Sequence, residues 1–142
     1  MSRSEEAKVL VVDDEPLVRS TLAEALRMWG YCTVEAATLV ETLAMVERER
    51  PDAVLLDVRL PDGSGITLLD ELRKRSSQLI IIITGHLTHK DAFEAGVRHA
   101  YGYVTKPIDQ TKLRSMLDEA LKSVRPDGVS TNRQERRQPS GE

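Results

Sequence analysis

The sequence predicts an α/β fold: a doubly wound, five-stranded parallel sheet with helices on both faces. Short apolar runs alternate five times with longer segments of helical spacing, which is the pattern of repeated strand–helix units. The apolar runs are nearly continuous, as expected of strands that are buried on both faces. In sheets of this kind ligands bind beyond the carboxyl ends of the strands, so the pattern also predicts where a functional site lies.

The five apolar runs account for the strands. Each is short, rich in β-branched residues and bounded by polar residues or turn formers. The run at 79–83 is the most apolar of the five. The predicted strands cover residues 9–12, 31–34, 53–58, 79–83 and 101–105.

Five helices are predicted between and after these strands. Pro16 opens the first helix, where its missing N–H is tolerated, and Gly30 ends it. Thr38 caps the second helix and Asp109 caps the fifth. The third and fourth cover 66–74 and 89–97, the latter with a thin apolar face.

The 142 residues fit one domain. We expect a disordered N-terminus at 1–7, a folded domain at 8–124 and a flexible tail or linker at 125–142. The tail has almost no apolar residues, so it cannot offset the entropy of ordering. With such a tail, the chain fits either a stand-alone domain or the amino-terminal part of a longer regulator.

Composition excludes several classes of protein. The net charge of -3 argues against direct nucleic-acid binding by this chain. A single cysteine, Cys32, excludes a disulfide framework and a Cys-based zinc site. No apolar run approaches the roughly 20 residues of a membrane span, and residues 1–8 lack an apolar signal core. We therefore expect a cytoplasmic protein with no membrane partner.

Five polar side chains stand at or just after the ends of predicted strands. They are Asp13, Asp14, Asp57, Thr84 and Lys106. Because strand ends of a parallel sheet lie along one edge, these groups can converge there. Each residue alone has an ordinary interpretation, such as a turn former, a strand-end threonine or a solvated lysine. Their coincidence at four strand ends favours a common site.

The chemistry of this set points to phosphoryl transfer. Three adjacent carboxylates repel one another unless a cation neutralises them, and oxygen ligands suit Mg²⁺. A carboxylate can attack phosphorus, while a metal and an ammonium stabilise charge on the phosphoryl oxygens. Asp57 is the sharpest candidate because it interrupts an apolar strand, where an unpaired charge is costly.

Four motifs together resemble the receiver domains of response regulators in two-component signalling. The resemblance covers about residues 8–124 and implies a flavodoxin-like (βα)5 fold with three α/β/α layers, as in chemotaxis regulators. The motifs are Val-Val-Asp-Asp-Glu at 11–15, Leu-Leu-Asp-Val-Arg-Leu-Pro-Asp-Gly-Ser-Gly at 55–65, Ile-Ile-Thr-Gly-His at 82–86 and Gly-Tyr-Val-Thr-Lys-Pro at 102–107.

The resemblance implies that Asp57 is the phosphoacceptor. It also implies a Mg²⁺ site formed by Asp57, Asp14, Asp13 (directly or through water) and the backbone carbonyl of Arg59. Thr84 would contact the phosphoryl group and move toward it.

The resemblance assigns three further features near the fifth strand. Lys106 would pair with the phosphoryl group, and the peptide bond between Lys106 and Pro107 would be cis. Tyr103 matches the aromatic switch residue that turns inward when Thr84 moves; an ordinary half-buried tyrosine is the alternative.

The implied function is a phosphoaccepting signalling switch rather than a metabolic enzyme. Its partner would be a sensor histidine kinase or a histidine phosphotransfer protein, and its own chemistry would be self-phosphorylation and autodephosphorylation at Asp57. Phosphorylation would shift the face formed by the fourth helix, the fifth strand and the fifth helix to an active state. In this family that face is the usual site of dimer or partner contacts, so the resemblance allows a homodimer through it and leaves the oligomeric state open.

Three positions depart from the common pattern. Arg59 could shield or contact the acyl phosphate and so alter its lifetime. His86 lies near the site and is more simply a loop histidine than a catalytic one. His99 stands where many relatives have glycine, so the fourth helix, on the output face, is expected to end differently.

Two other functions stay open. A phosphatase with an Asp nucleophile would need a second Asp where Arg59 stands, and a pseudo-receiver would not need the full set of five side chains. A nucleotide-binding fold is disfavoured because no glycine-rich phosphate loop follows the first strand.

Overall fold

The computed structural model describes residues 7–75, 79–85, 88, 90 and 100–122 of the chain. Within these residues, five strands form one parallel sheet in the order β2-β1-β3-β4-β5. The strands are β1 (Lys8–Val12), β2 (Cys32–Ala36), β3 (Ala53–Asp57), β4 (Leu79–Thr84) and β5 (Gly102–Thr105). The predicted parallel five-stranded sheet is confirmed.

Four α-helices of 8 to 13 residues flank the sheet in the described part of the chain. They are α1 (Pro16–Met28), α2 (Leu39–Glu49), α3 (Leu68–Arg75) and the helix Gln110–Leu121, called the 110–121 helix below. Both predicted caps are confirmed, because the side chains of Thr38 and Asp109 accept hydrogen bonds from backbone N–H groups three residues on. Gly30, with φ +97°, follows α1 as predicted.

Side chains alternate between two cores, one on each face of the sheet. Along β1, Leu10 and Val12 join a core with α2 and α3, while Val9 and Val11 join a core with α1 and the 110–121 helix. The central strands follow the same alternation, and all five residues of β3 are buried. The result is the predicted three-layer α/β/α arrangement, with strand ends as the places where polar groups emerge.

Some boundaries differ from the sequence-based expectation. The second strand is Cys32–Ala36 rather than 31–34, because its register is set by pairing with β1. The third helix is preceded by a 3-10 turn at Gly65–Thr67. After β3, Arg59–Leu60 pairs antiparallel with Gly63–Ser64 as a small hairpin.

Several predictions fall on residues that lie outside the described ranges. These are the helix at 89–97 (apart from Lys90), the tail at 125–142, His86 and His99. Among the described residues, no helix has the length and apolar character to cross a membrane.

Candidate functional site

Three carboxylates meet at the carboxyl edge of the sheet. Asp13 follows β1 directly, is fully buried and donates its backbone N–H to the carbonyl of Ala36 at the end of β2. Asp57 ends β3 and pairs in register with Ile83 of β4. With the exposed Asp14, these carboxylates each offer an oxygen within 4.8 Å of the others. The predicted convergence of the acidic residues is confirmed.

Lys106 brings a positive charge into this acidic cluster. Its backbone N–H donates to the Thr84 carbonyl at 2.8 Å, which places it just beyond β5. Its ammonium lies 2.8 Å from Asp13 Oδ2, 3.0 Å from Asp57 Oδ2 and 3.6 Å from Glu15 Oε1. One cation thus faces two buried carboxylates and one exposed carboxylate.

Burial and charge oppose each other at Asp57. The residue is only 4% exposed, and this burial raises the pKa of its carboxyl above the ordinary value. Hydrogen bonds from the Lys106 ammonium and the Arg59 backbone N–H act in the opposite direction without cancelling it. Burial alone would lower the pKa of Lys106, but the adjacent carboxylates of Asp13 and Asp57 outweigh it and raise that pKa.

The cluster has the oxygen ligands and the excess negative charge that a hard cation needs. Asp13 Oδ2 is buried and is ion-paired with the Lys106 ammonium at 2.8 Å. Three carboxylates against one ammonium leave excess negative charge. All three offer oxygen, the ligand that Mg²⁺ and Ca²⁺ prefer. The acidic cluster therefore fits a divalent cation.

An open cavity of about 330 Å³ lies over the carboxylates. Its walls come from the ends of β1, β3, β4 and β5, so solutes reach Asp57 from this side. Its lining residues are Asp14, Glu15, Asp57, Arg59, Thr84, Gly85 and Lys106.

The chain beyond Asp57 turns back tightly over it. Arg59 donates its backbone N–H to Asp57 Oδ1 at 3.2 Å, and Gly65 donates its N–H to the Val58 carbonyl at 2.7 Å. A Cβ at Gly65 would lie 2.3 Å from the Asp57 backbone oxygen. Glycine is therefore needed at 65 because the loop packs directly on the backbone of the site.

The remaining predicted residues lie on the two strands next to β3. Thr84 ends β4, is 1% exposed and lines the cavity. Tyr103 lies on β5 in register with Ile82 and is 49% exposed, so its ring is at the surface. The peptide bond between Lys106 and Pro107 is cis, as the resemblance implied.

Sequence reasoning missed two residues that support the carboxylates. Arg19, on α1, donates from Nη1 to the Asp13 carbonyl at 2.8 Å and from Nε to Glu35 at 3.1 Å, which ties the end of β1 to β2. Glu15 adds an acidic group near Lys106. Glu15 adjoins the acidic pair in sequence and could have been included, whereas nothing local distinguishes Arg19 from a surface arginine.

Comparison with known proteins decides the family. The family model described as "Response regulator receiver domain" matches residues 9–118. The chain belongs to this family. It is a receiver domain of the two-component type, and the resemblance drawn from the motifs is confirmed.

Relatives of this receiver domain include longer regulators. The transcriptional regulatory protein GlrR of Escherichia coli is 33% identical over 121 residues, which cover 84% of this chain and 27% of GlrR. The KDP operon transcriptional regulatory protein KdpE of Escherichia coli is 34% identical over 114 residues, covering 80% of this chain and 51% of KdpE. The chain thus spans between about a quarter and about half of these regulators.

Solved structures support the fold independently. A response regulator receiver domain protein (CheY-like) from Methanospirillum hungatei superposes with a TM-score of 0.80 at 28% sequence identity. The match covers 83% of this chain and 95% of that chain. The flavodoxin-like arrangement is therefore confirmed.

Proposed function

We propose that this receiver domain accepts a phosphoryl group on Asp57 from the phosphohistidine of a sensor histidine kinase or a histidine phosphotransfer protein, in the presence of Mg²⁺. One observation carries the proposal. The Asp57 carboxylate is buried at a strand end, yet it faces an open cavity, two further carboxylates and an ammonium 3.0 Å away. This is the arrangement that an aspartyl phosphate requires.

In the transfer step, a carboxylate oxygen of Asp57 attacks phosphorus and forms a P–O bond. The P–N bond to the donor imidazole breaks, and the imidazole nitrogen keeps the electron pair. Asp13, Asp14, Asp57 and the backbone carbonyl of Arg59 would hold Mg²⁺, which when bound neutralises charge on the phosphoryl oxygens.

The groups around Asp57 would then stabilise the product. Lys106 already lies against Asp57 and would pair with a phosphoryl oxygen. Thr84 lines the same cavity, and its hydroxyl would donate a hydrogen bond to a second phosphoryl oxygen. Hydrolysis of the acyl phosphate would reset the site, so the chemistry serves signalling rather than turnover of a metabolite.

Phosphorylation would bias a two-state equilibrium. The active state is the one in which Thr84 contacts the phosphoryl group and Tyr103 turns inward from its exposed position. The output face would be β5, the 110–121 helix and the segment before β5, and it would support a homodimer. We propose a cytoplasmic signalling role for a domain at 8–124 followed by a tail or linker at 125–142.

The decisive variant is Asp57→Asn, which removes the nucleophile and keeps the shape of the side chain. With acetyl phosphate and Mg²⁺, the wild-type chain should acquire one acid-labile phosphoryl group that hydroxylamine also releases, and Asp57→Asn should acquire none. Asp70→Asn, the same change at an exposed position of α3, serves as the control and should be labelled like wild type. Full labelling of Asp57→Asn would refute the site assignment.

A further inference from the structure

A carboxylate outside the acidic cluster joins the loop after Asp57 to the start of α2. Asp62, at the turn of the hairpin at 59–64, accepts the backbone N–H of Leu39 at 2.9 Å and that of Val40 at 3.2 Å. These two N–H groups lower the pKa of Asp62, so the carboxylate is ionised at neutral pH. The two segments are 23 residues apart in sequence, and the contact joins the tip of the loop to the second helix.

The contact completes the capping of this helix. The first N–H groups of a helix have no partner within it. Thr38 Oγ1 accepts the N–H of Glu41 at 3.0 Å, and Asp62 accepts the two N–H groups before it. The helix end therefore has a cap from its own chain segment and a second cap from the loop of the site.

The close approach of the loop is also visible in its backbone. Gly63 has φ +147°, a conformation that side chains rarely adopt. A Cβ there would lie 2.8 Å from Leu39 Cδ1. The residue after Asp62 therefore packs against the first residue of α2, independently of the hydrogen bonds.

Backbone pairing holds the loop in place along its whole length between Asp62 and Asp57. Leu60 is buried in the core and pairs with Gly63, while Arg59 pairs with Ser64 and donates its N–H to Asp57 Oδ1. A displacement of Asp62 at the tip of the hairpin should therefore also displace the backbone of Arg59.

We propose that Asp62 is a positioning residue for the metal site, fixing the hairpin at 59–64 on α2 so that the Arg59 backbone carbonyl is held ready as a ligand. The inference rests on the proposed function, which assigns that carbonyl to Mg²⁺. Substituting a residue that orients a metal ligand weakens metal binding by about 10-fold or more, although every ligand is still present.

Two variants separate positioning from stability. Asp62→Ala removes the cap supplied by the loop, and Thr38→Ala removes the helix's own cap but leaves the loop intact. Both should lower the midpoint of thermal unfolding. Titration calorimetry of the full chain with MgCl2 should show about 10-fold weaker binding for Asp62→Ala and unchanged binding for Thr38→Ala. Asp62→Asn, which keeps one acceptor oxygen, should fall between wild type and Asp62→Ala.

A metal-free measurement accompanies the titration. In the chain without Mg²⁺, the amide resonance of Arg59 should shift in Asp62→Ala and stay in place in Thr38→Ala, since only the first variant frees the loop. If Asp62→Ala binds Mg²⁺ as tightly as wild type, or if Thr38→Ala weakens binding equally, this inference is wrong while the proposed function stands. If the wild-type chain binds no Mg²⁺, the proposed function fails and the inference fails with it.

Discussion

At the scale of single residues, the site depends on carboxylates that the fold holds together against their repulsion. Asp13 and Asp57 are nearly inaccessible to water, and Lys106 is the cation that contacts both. Burial nonetheless leaves the pKa of Asp57 above its ordinary value of 3.8. The metal-free site therefore stores unfavourable charge, which binding of a cation would relieve.

This raised pKa has a defined consequence for stability. The folded chain binds a proton at Asp57 more tightly than the unfolded chain does, so the ionised carboxylate destabilises the fold above its folded-state pKa. The destabilisation fades as the pH falls through that pKa and is lost below about 3.8, the unfolded value.

In EDTA at pH 7, Asp57→Asn should therefore raise the free energy of unfolding. The gain should shrink as the pH is lowered toward 4, and urea unfolding followed by circular dichroism measures both effects. Asp70→Asn corrects for the change in net charge. A less stable Asp57→Asn at pH 7 would mean that the pairing with Lys106 outweighs the burial of the carboxylate.

The acidic residues of the site could be predicted from the sequence, but not all of the residues that support them. Asp57 could be singled out because a carboxylate within an apolar strand needs a special environment, and the parallel sheet brought its neighbours to the same edge. The contact of Arg19 with Asp13 depends on how α1 packs against the end of β1, and the contact of Asp62 with α2 joins segments 23 residues apart. No local pattern in the sequence encodes such contacts.

At the scale of elements, boundaries set by local chemistry were predictable and those set by pairing were not. Thr38 and Asp109 cap their helices as expected because capping depends on a few adjacent residues. The limits of β2 follow from its pairing with β1. The hairpin at 59–64 could not be predicted because its residues are mostly turn formers, which give no strand pattern. This hairpin nevertheless follows Asp57 closely in the chain and donates the Arg59 N–H to its carboxylate.

Gly65→Ala tests how tightly that element packs. A methyl group there would overlap the Asp57 backbone oxygen, so the variant should lose about 1–3 kcal/mol of stability. The same change at Gly85, also at the edge of the cavity, would place Cβ 4.0 Å from its nearest neighbour among the described residues, the Lys106 side chain, and should be nearly neutral. Equal unfolding midpoints for Gly65→Ala and wild type would contradict the packing described.

At the scale of the whole molecule, the sheet links the site to the surface. Thr84 is buried at the end of β4, and Tyr103 is exposed on the neighbouring β5. The strands themselves are fixed between two dense cores, so we expect activation to rearrange side chains and loops at the sheet edge rather than the sheet.

The three tyrosines of the chain provide a direct probe of this rearrangement. After labelling with 3-fluorotyrosine, addition of beryllofluoride and Mg²⁺ should shift the fluorine resonance of Tyr103. Tyr31 precedes β2 at the amino ends of the strands, is buried and donates its hydroxyl to Asp118 of the 110–121 helix. Because it lies at the edge of the sheet away from Asp57, its resonance should shift less than that of Tyr103. Tyr→Phe variants assign the signals, and an unchanged Tyr103 resonance would refute the switch.

The central claim is that the phosphoryl group resides on Asp57, and the modified residue can be identified chemically. Borohydride reduces an aspartyl phosphate to homoserine, which peptide mass spectrometry locates in the sequence. After phosphorylation and reduction of the wild-type chain, the account predicts homoserine at position 57 and aspartate at 13, 14 and 62. Homoserine at any of those three positions, or at none, would contradict it.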